Sequence, residues 1–139
     1  MTRYHAPNQP CADQRTADAF ATSWNNLPAG SVYTSEQVAD WFAPLAPEDV
    51  RGKRVLEMGC GNGSLMVHLL GWSPAQLDGI DLGASVGSAR ANLEATGRTN
   101  WSVRQANLES LEAEGDDVVY SIGVLHRLKV PRRGFEALL

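Results

Sequence analysis

The sequence predicts an α/β fold, a parallel sheet with flanking helices. Three observations carry that expectation. From Lys53 onward, short apolar runs alternate with segments of helical spacing. The first run, Val55-Leu56-Glu57-Met58, passes directly into Gly59-Cys60-Gly61-Asn62-Gly63 and then into a helical stretch. Glu57, Asp81, Asn107 and Ser121 all fall at or just past predicted strand ends, the rim on which such sheets bind ligands.

The elements follow in order. Residues 1–13 are polar and proline-bearing and read as a disordered leader. Ala17, Phe20, Ala21 and Trp24 recur at helical spacing, so a helix is expected from Gln14 to about Leu27, broken by Pro28-Ala29-Gly30. Thr34-Ser35-Glu36-Gln37 reads as a capped helix start. Val38, Trp41, Phe42 and Leu45 supply that helix's apolar stripe, and Pro44 and Pro47 end it. These two helices make an N-terminal segment over 14–50, ahead of a core over 51–139. In the core, strands are expected near 54–58, 77–82, 101–105 and 117–123, with helices over 64–70 and 84–95. A short helix or turn is expected over 108–114, and Pro131 suits the first turn of another helix.

The bulk numbers bound the function. The 139 residues suffice for one domain with one core, and 43% hydrophobic and 20% charged residues are ordinary for a globular chain. A net charge of −4 argues against a phosphate-backbone binder, so no nucleic-acid partner is expected. No apolar run approaches the roughly 20 residues of a membrane span, and Met1 to Pro7 lacks a signal-peptide core. No membrane partner and a cytoplasmic location follow. Cys11 and Cys60 read as free thiols, because a disulfide would tie the leader across the glycine turn. No metal site is expected.

The glycine turn carries the chemistry. Glycines let backbone approach a ligand where a Cβ would collide, and the following helix aims its free N–H groups at the same place. A dinucleotide fingerprint would put its third glycine at the position of Ser64. Here it comes one residue early, at Gly63. Asp81 lies about 20 residues past the turn, where an acid can accept both hydroxyls of a ribose; capping the next helix is its other role. Asn107, or Glu109 in a shifted register, follows the third strand. His126 is the only visible general-base candidate, with a structural histidine as the alternative. Cys60 reads as a small residue that the turn tolerates.

Glu57-x-Gly59-x-Gly61-x-Gly63 after an apolar strand resembles motif I of the class I S-adenosylmethionine-dependent methyltransferases. Val118 to Leu128, with His126, and Phe135-Glu136-Ala137-Leu138 resemble the type 11 and type 12 small-molecule members. The resemblance runs from about Phe20 to the last residue. It implies that 14–50 is an N-terminal helical cap, that 51–139 is a partial Rossmann-like core, and that S-adenosylmethionine is the cofactor. It assigns Glu57 to the methionine end and the backbone of Gly59, Cys60, Gly61 and Gly63 to the methionine part and ribose. Asp81, with Leu82 beside it, is assigned to the ribose. Asn107 and the Leu108 N–H are assigned to adenine, and Ser121 joins the rim. Asn107 stands where an aspartate is common, and Arg127 replaces a second histidine. The Asn-Pro-Pro-Tyr signature is absent, so a small-molecule acceptor is expected. The family's sheet continues past its fourth strand, so the chain is expected to be C-terminally truncated and weak or inactive alone. Two alternatives stay open. One is a non-catalytic remnant of the fold that binds a partner through an exposed edge strand. The other is a dinucleotide-dependent oxidoreductase, which Ser64 opposes.

Overall fold

The computed structural model describes residues 12–111 and 115–139. Helix α1 (Ala12–Asn25), helix α2 (Ser35–Phe42) and a single turn, α3 (Pro47–Val50), precede the sheet. Then come β1 (Arg54–Met58), α4 (Ser64–Leu70), β2 (Gln76–Asp81), α5 (Val86–Glu94), β3 (Trp101–Gln105), β4 (Val118–Tyr120) and α6 (Pro131–Glu136). Short 3-10 turns lie at Leu108–Ser110 and Leu125–Arg127.

The four strands are all parallel, in the order β3-β2-β1-β4. This is the expected parallel sheet with flanking helices. Strand β1 is interior to the sheet, so its side chains from Val55 to Met58 are buried on both faces. Val55 packs with Met66, Leu69, Leu70, Leu77, Leu93 and Val103 on one face. Leu56 and Met58 pack with Ile80, Leu108 and Leu111 on the other. The chain runs outward from β1 through β2 to β3, then returns to place β4 on β1's opposite side. Strand order therefore reverses between β1 and β4, and a crevice opens there at the carboxyl ends.

The N-terminal helices form for local reasons legible in the chain. Thr34 caps α2 reciprocally: its hydroxyl accepts from the Gln37 N–H at 3.2 Å, and its own N–H donates to Gln37 Oε1 at 2.9 Å. Val38 and Phe42 turn inward, while Trp41 remains 46% exposed.

Several boundaries differ from expectation. Helix α1 begins at Ala12, two residues before Gln14; residues 1–11 of the expected leader, with Cys11, lie outside the described residues, as do 112–114. Pro47 opens a new turn where the sequence suggested only a stop. A proline suits that first position, and Asp49 Oδ2 accepts the Ala46 N–H at 2.9 Å. Strand β2 ends at Asp81, leaving Leu82 in the following turn. Helix α5 is shorter than 84–95 and starts at Val86. Strand β4 has only three residues, where 117–123 was expected. Among the described residues it pairs only with β1, from Val55–Val118 to Glu57–Tyr120, and beyond that the Ser121 hydroxyl donates to the Met58 carbonyl at 2.8 Å. Among the described residues, no helix is long and apolar enough to cross a membrane.

Candidate functional site

A cavity of about 580 Å³ sits at the carboxyl ends of β1, β2 and β4. That is the size of a small-molecule site. Its floor is Glu57, Gly59, Cys60, Asp81, Leu82 and Leu108. Its roof and outer wall include Phe20 and Trp24 from α1, Tyr33, Trp41 from α2, and Val124 and Arg127 from the segment after β4.

Glu57 is the most unusual group. It is 2% exposed, lines the cavity, and has no cationic partner among the described residues. The Tyr120 hydroxyl, its register neighbour on β4, donates to Oε2 at 2.9 Å. Burial pushes the carboxyl up to about 8; the tyrosine hydrogen bond opposes the rise and the nearby Asp81 charge adds to it. Tyr120 itself is held well above the ordinary phenol range, by burial first and then by Glu57. The rings of Phe42 and Tyr120 meet edge-on at 4.9 Å, which holds the phenol in place.

Asp81 lies across the glycine turn. One carboxylate oxygen accepts the Gly61 N–H at 2.9 Å, and the other accepts the Gly83 N–H at 2.7 Å. Burial raises its carboxyl, and these two amides oppose the rise. Asp81 thus stitches the β1 turn to the β2 turn. Gly59 is required between them: its φ is +88°, and a Cβ there would overlap the Val124 side chain. The buried Cys60 thiol is pushed up by burial and by the charges of Glu57 and Asp81, so it is not a thiolate nucleophile.

Of the expected site residues, Glu57, Gly59, Cys60, Asp81, Leu82 and Leu108 come together on the cavity wall. Gly61, Gly63, Asn107 and Ser121 do not. Gly61 and Gly63 use their N–H groups inside the turn, on Asp81 and on the Cys60 carbonyl. Asn107 Oδ1 accepts the Glu109 N–H at 3.0 Å and so caps the 3-10 turn, and the Ser121 hydroxyl is spent on Met58. His126 is exposed and off the cavity wall; its neighbour Arg127 lines the wall instead. Sequence reasoning gave no role to Tyr120, Tyr33 or Arg127. The strand register was the missing signal for Tyr120, since it faces Glu57 only once β4 is paired with β1.

Comparison with known proteins fits this geometry. A family described as a methyltransferase domain matches residues 55–138. The chain belongs to the methyltransferase-domain family. Its cofactor is S-adenosylmethionine, the donor expected from the glycine motif. A tRNA U34 carboxymethyltransferase of Pseudomonas paraeruginosa is 35% identical over 70% of this chain, which covers 32% of that protein. One from Stutzerimonas stutzeri is 31% identical over 93% of this chain and 43% of that protein. The methyltransferase domain thus spans less than half the length of these curated relatives. Among solved structures, a magnesium protoporphyrin IX methyltransferase from Synechocystis shares its fold with a TM-score of 0.62, at 21% identity over 96% of this chain and 57% of that one.

The relatives correct one expectation. A small-molecule acceptor with no nucleic-acid partner was inferred from the charge of −4 and the missing Asn-Pro-Pro-Tyr, yet the curated relatives are named for tRNA. Net charge summed over a stretch matching 32% to 43% of a relative's length leaves the rest of that protein's field out of account.

The donor suits the wall. A buried carboxyl without a cationic partner matches a ligand that brings its own positive charge, and Asp81 offers a second acceptor beside it. Each carboxylate oxygen has lone-pair capacity beyond the one amide it accepts.

Proposed function

We propose that this methyltransferase domain holds S-adenosylmethionine on the cavity floor and serves alkyl transfer to a base of a tRNA. The acceptor half of that reading is carried by the 31% to 35% identity with proteins named tRNA U34 carboxymethyltransferases. Glu57, once ionised, would take the ammonium of the methionyl end. Asp81 would accept the ribose hydroxyls, with the Gly59 to Gly63 backbone alongside. Leu82 and Leu108 would flank adenine, and the Leu108 N–H would meet its edge. When bound, the donor supplies a methyl group already activated by a positively charged sulfur.

The protein's task is then orientation and exclusion of water. Residues 14–50 serve as a cap, with Phe20 and Trp24 of α1 laid over the donor floor. The Arg127 guanidinium stands 4.1 Å from the Phe20 ring centroid and fastens α1 to the segment after β4. No proton transfer by His126 is required, in keeping with its place off the wall.

Calorimetric titration tests the donor half. S-adenosylmethionine should bind at least tenfold more tightly than NAD. Asp81→Ala should weaken it by about tenfold or more, because a charged hydrogen-bond acceptor contributes roughly 1.5–3 kcal/mol. Equal affinity for NAD, or unchanged affinity in Asp81→Ala, would remove these assignments.

A further inference from the structure

The donor floor leaves part of the cavity without a role, and that part is aromatic. Trp41 lines it, is 46% exposed, and has no partner for its indole N–H among the described residues. The Tyr33 ring meets Trp41 edge-on, with centroids 4.9 Å apart and planes at 72°, so one indole face stays clear of that ring. The loop that carries Tyr33 is anchored to the donor turn and to α4 and α5. The Val32 N–H lies 3.4 Å from the Ser64 hydroxyl, and Ser64 also donates to Asn62 Oδ1 at 2.7 Å. His68 Nε2 lies 2.8 Å from the Ser31 hydroxyl and 2.9 Å from the Tyr33 carbonyl, and the Gly30 N–H donates to Asn92 Oδ1 at 2.7 Å. An exposed tryptophan braced edge-on against this anchored loop offers a stacking surface beside the donor site. The same wall carries a cation. Arg127 has no carboxylate partner among the described residues, and only its Nε–H is used, on the Gly123 carbonyl at 3.3 Å.

We propose that the Trp41 ring, braced by Tyr33, is the stacking platform for a base splayed out of a single-stranded RNA loop, with Arg127 taking a flanking phosphate. The inference rests on the tRNA reading above and names the residues that would carry it out. A base is reachable by an alkyl donor only once it leaves the helix stack, and an aromatic face replaces the stacking it loses. A guanidinium suits a phosphate because its remaining N–H groups form a planar fork.

The test uses the 139-residue chain and a fluorescein-labelled RNA hairpin carrying uridine in its loop, with the same uridine in a fully paired duplex as control. Anisotropy should show hairpin binding weakened about tenfold or more by Trp41→Ala and restored to within about threefold by Trp41→Phe, since base–aromatic stacking tolerates a smaller ring. Arg127→Gln should weaken binding severalfold and make its salt dependence shallower by about one counterion. Donor affinity should stay within about threefold in Trp41→Ala and Trp41→Phe; Arg127→Gln also loosens the Phe20 contact, so it is read by its salt slope. Undiminished hairpin binding in Trp41→Ala, or duplex binding as tight as hairpin binding, overturns the platform. So does a loss of donor affinity in Trp41→Ala that matches the loss of RNA affinity. A chain that binds the donor normally but no RNA overturns the tRNA reading, and the platform with it.

Discussion

The two sides of the cavity are built on different principles. The donor floor is backbone and side chains from the strand ends, with its carboxyls paired inside the chain: Asp81 on two amides, Glu57 on the Tyr120 hydroxyl. The outer wall is made of large side chains from α1, α2 and the segment after β4, joined by ring contacts and one guanidinium. A floor of that kind is rigid and tolerates little change. A wall of that kind is reshaped by exchanging a side chain. On the proposed reading, the geometry is fixed under the donor, and the side facing the acceptor is the one a side-chain exchange can alter.

That contrast can be broken at its strongest point first. Gly59→Ala should destabilise the fold by about 3 kcal/mol and abolish measurable donor binding, because a left-handed φ and an overlap with Val124 act together. Urea unfolding checks the first effect and calorimetry the second. Near-normal stability would mean that the turn is softer than its contacts imply.

Glu57 sharpens the comparison through pH. Its carboxyl is raised to about 8, so near neutrality the empty site holds it mostly protonated, whereas a cationic ligand needs it ionised. Donor affinity should therefore rise by up to about tenfold per pH unit on approaching 8 from below and level off above it. Stability runs the other way. The unfolded chain releases this proton near the ordinary carboxyl range and the folded chain keeps it. The contribution is thus complete at acid pH and is lost as pH rises toward 8. In Glu57→Gln both slopes should flatten and donor affinity should fall about tenfold. A Glu57→Gln profile parallel to wild type would assign the pH dependence to another group.

The smallest effect belongs to the joint between floor and wall. Ser64→Ala removes the acceptor facing the Val32 N–H and the donor to Asn62 and should cost about 1 kcal/mol. Hydrogen exchange should quicken in residues 30–33 while β1 and β2 remain protected. Uniform exchange across both regions would show that floor and wall melt as one unit.

The same division explains what the sequence made legible. The floor is contiguous in the chain: apolar strand, acid, glycine turn, helix, then a second acid at a characteristic distance. Each step rests on local chemistry, so Glu57, Gly59, Asp81 and the parallel sheet could be read before any tertiary contact was known. The reciprocal Thr34–Gln37 cap was readable for the same reason. The Glu57–Tyr120 hydrogen bond joins residues 63 apart and exists only because β4 lands beside β1 in one register. The fastening of Phe20 by Arg127 likewise depends on the chain's return past the sheet. Asn107 shows the opposite hazard. Its position after β3 suggested a ligand contact, but a carboxamide just ahead of a tight turn finds the turn's own N–H first.

The strand order has a corollary. Because the opening between β1 and β4 comes from the direction in which the chain departs each strand, it exists whatever side chains ring it. On the proposed reading, side-chain exchanges in the helices around it would change which molecules the opening admits while the Asp81-stitched turns beneath stay as they are.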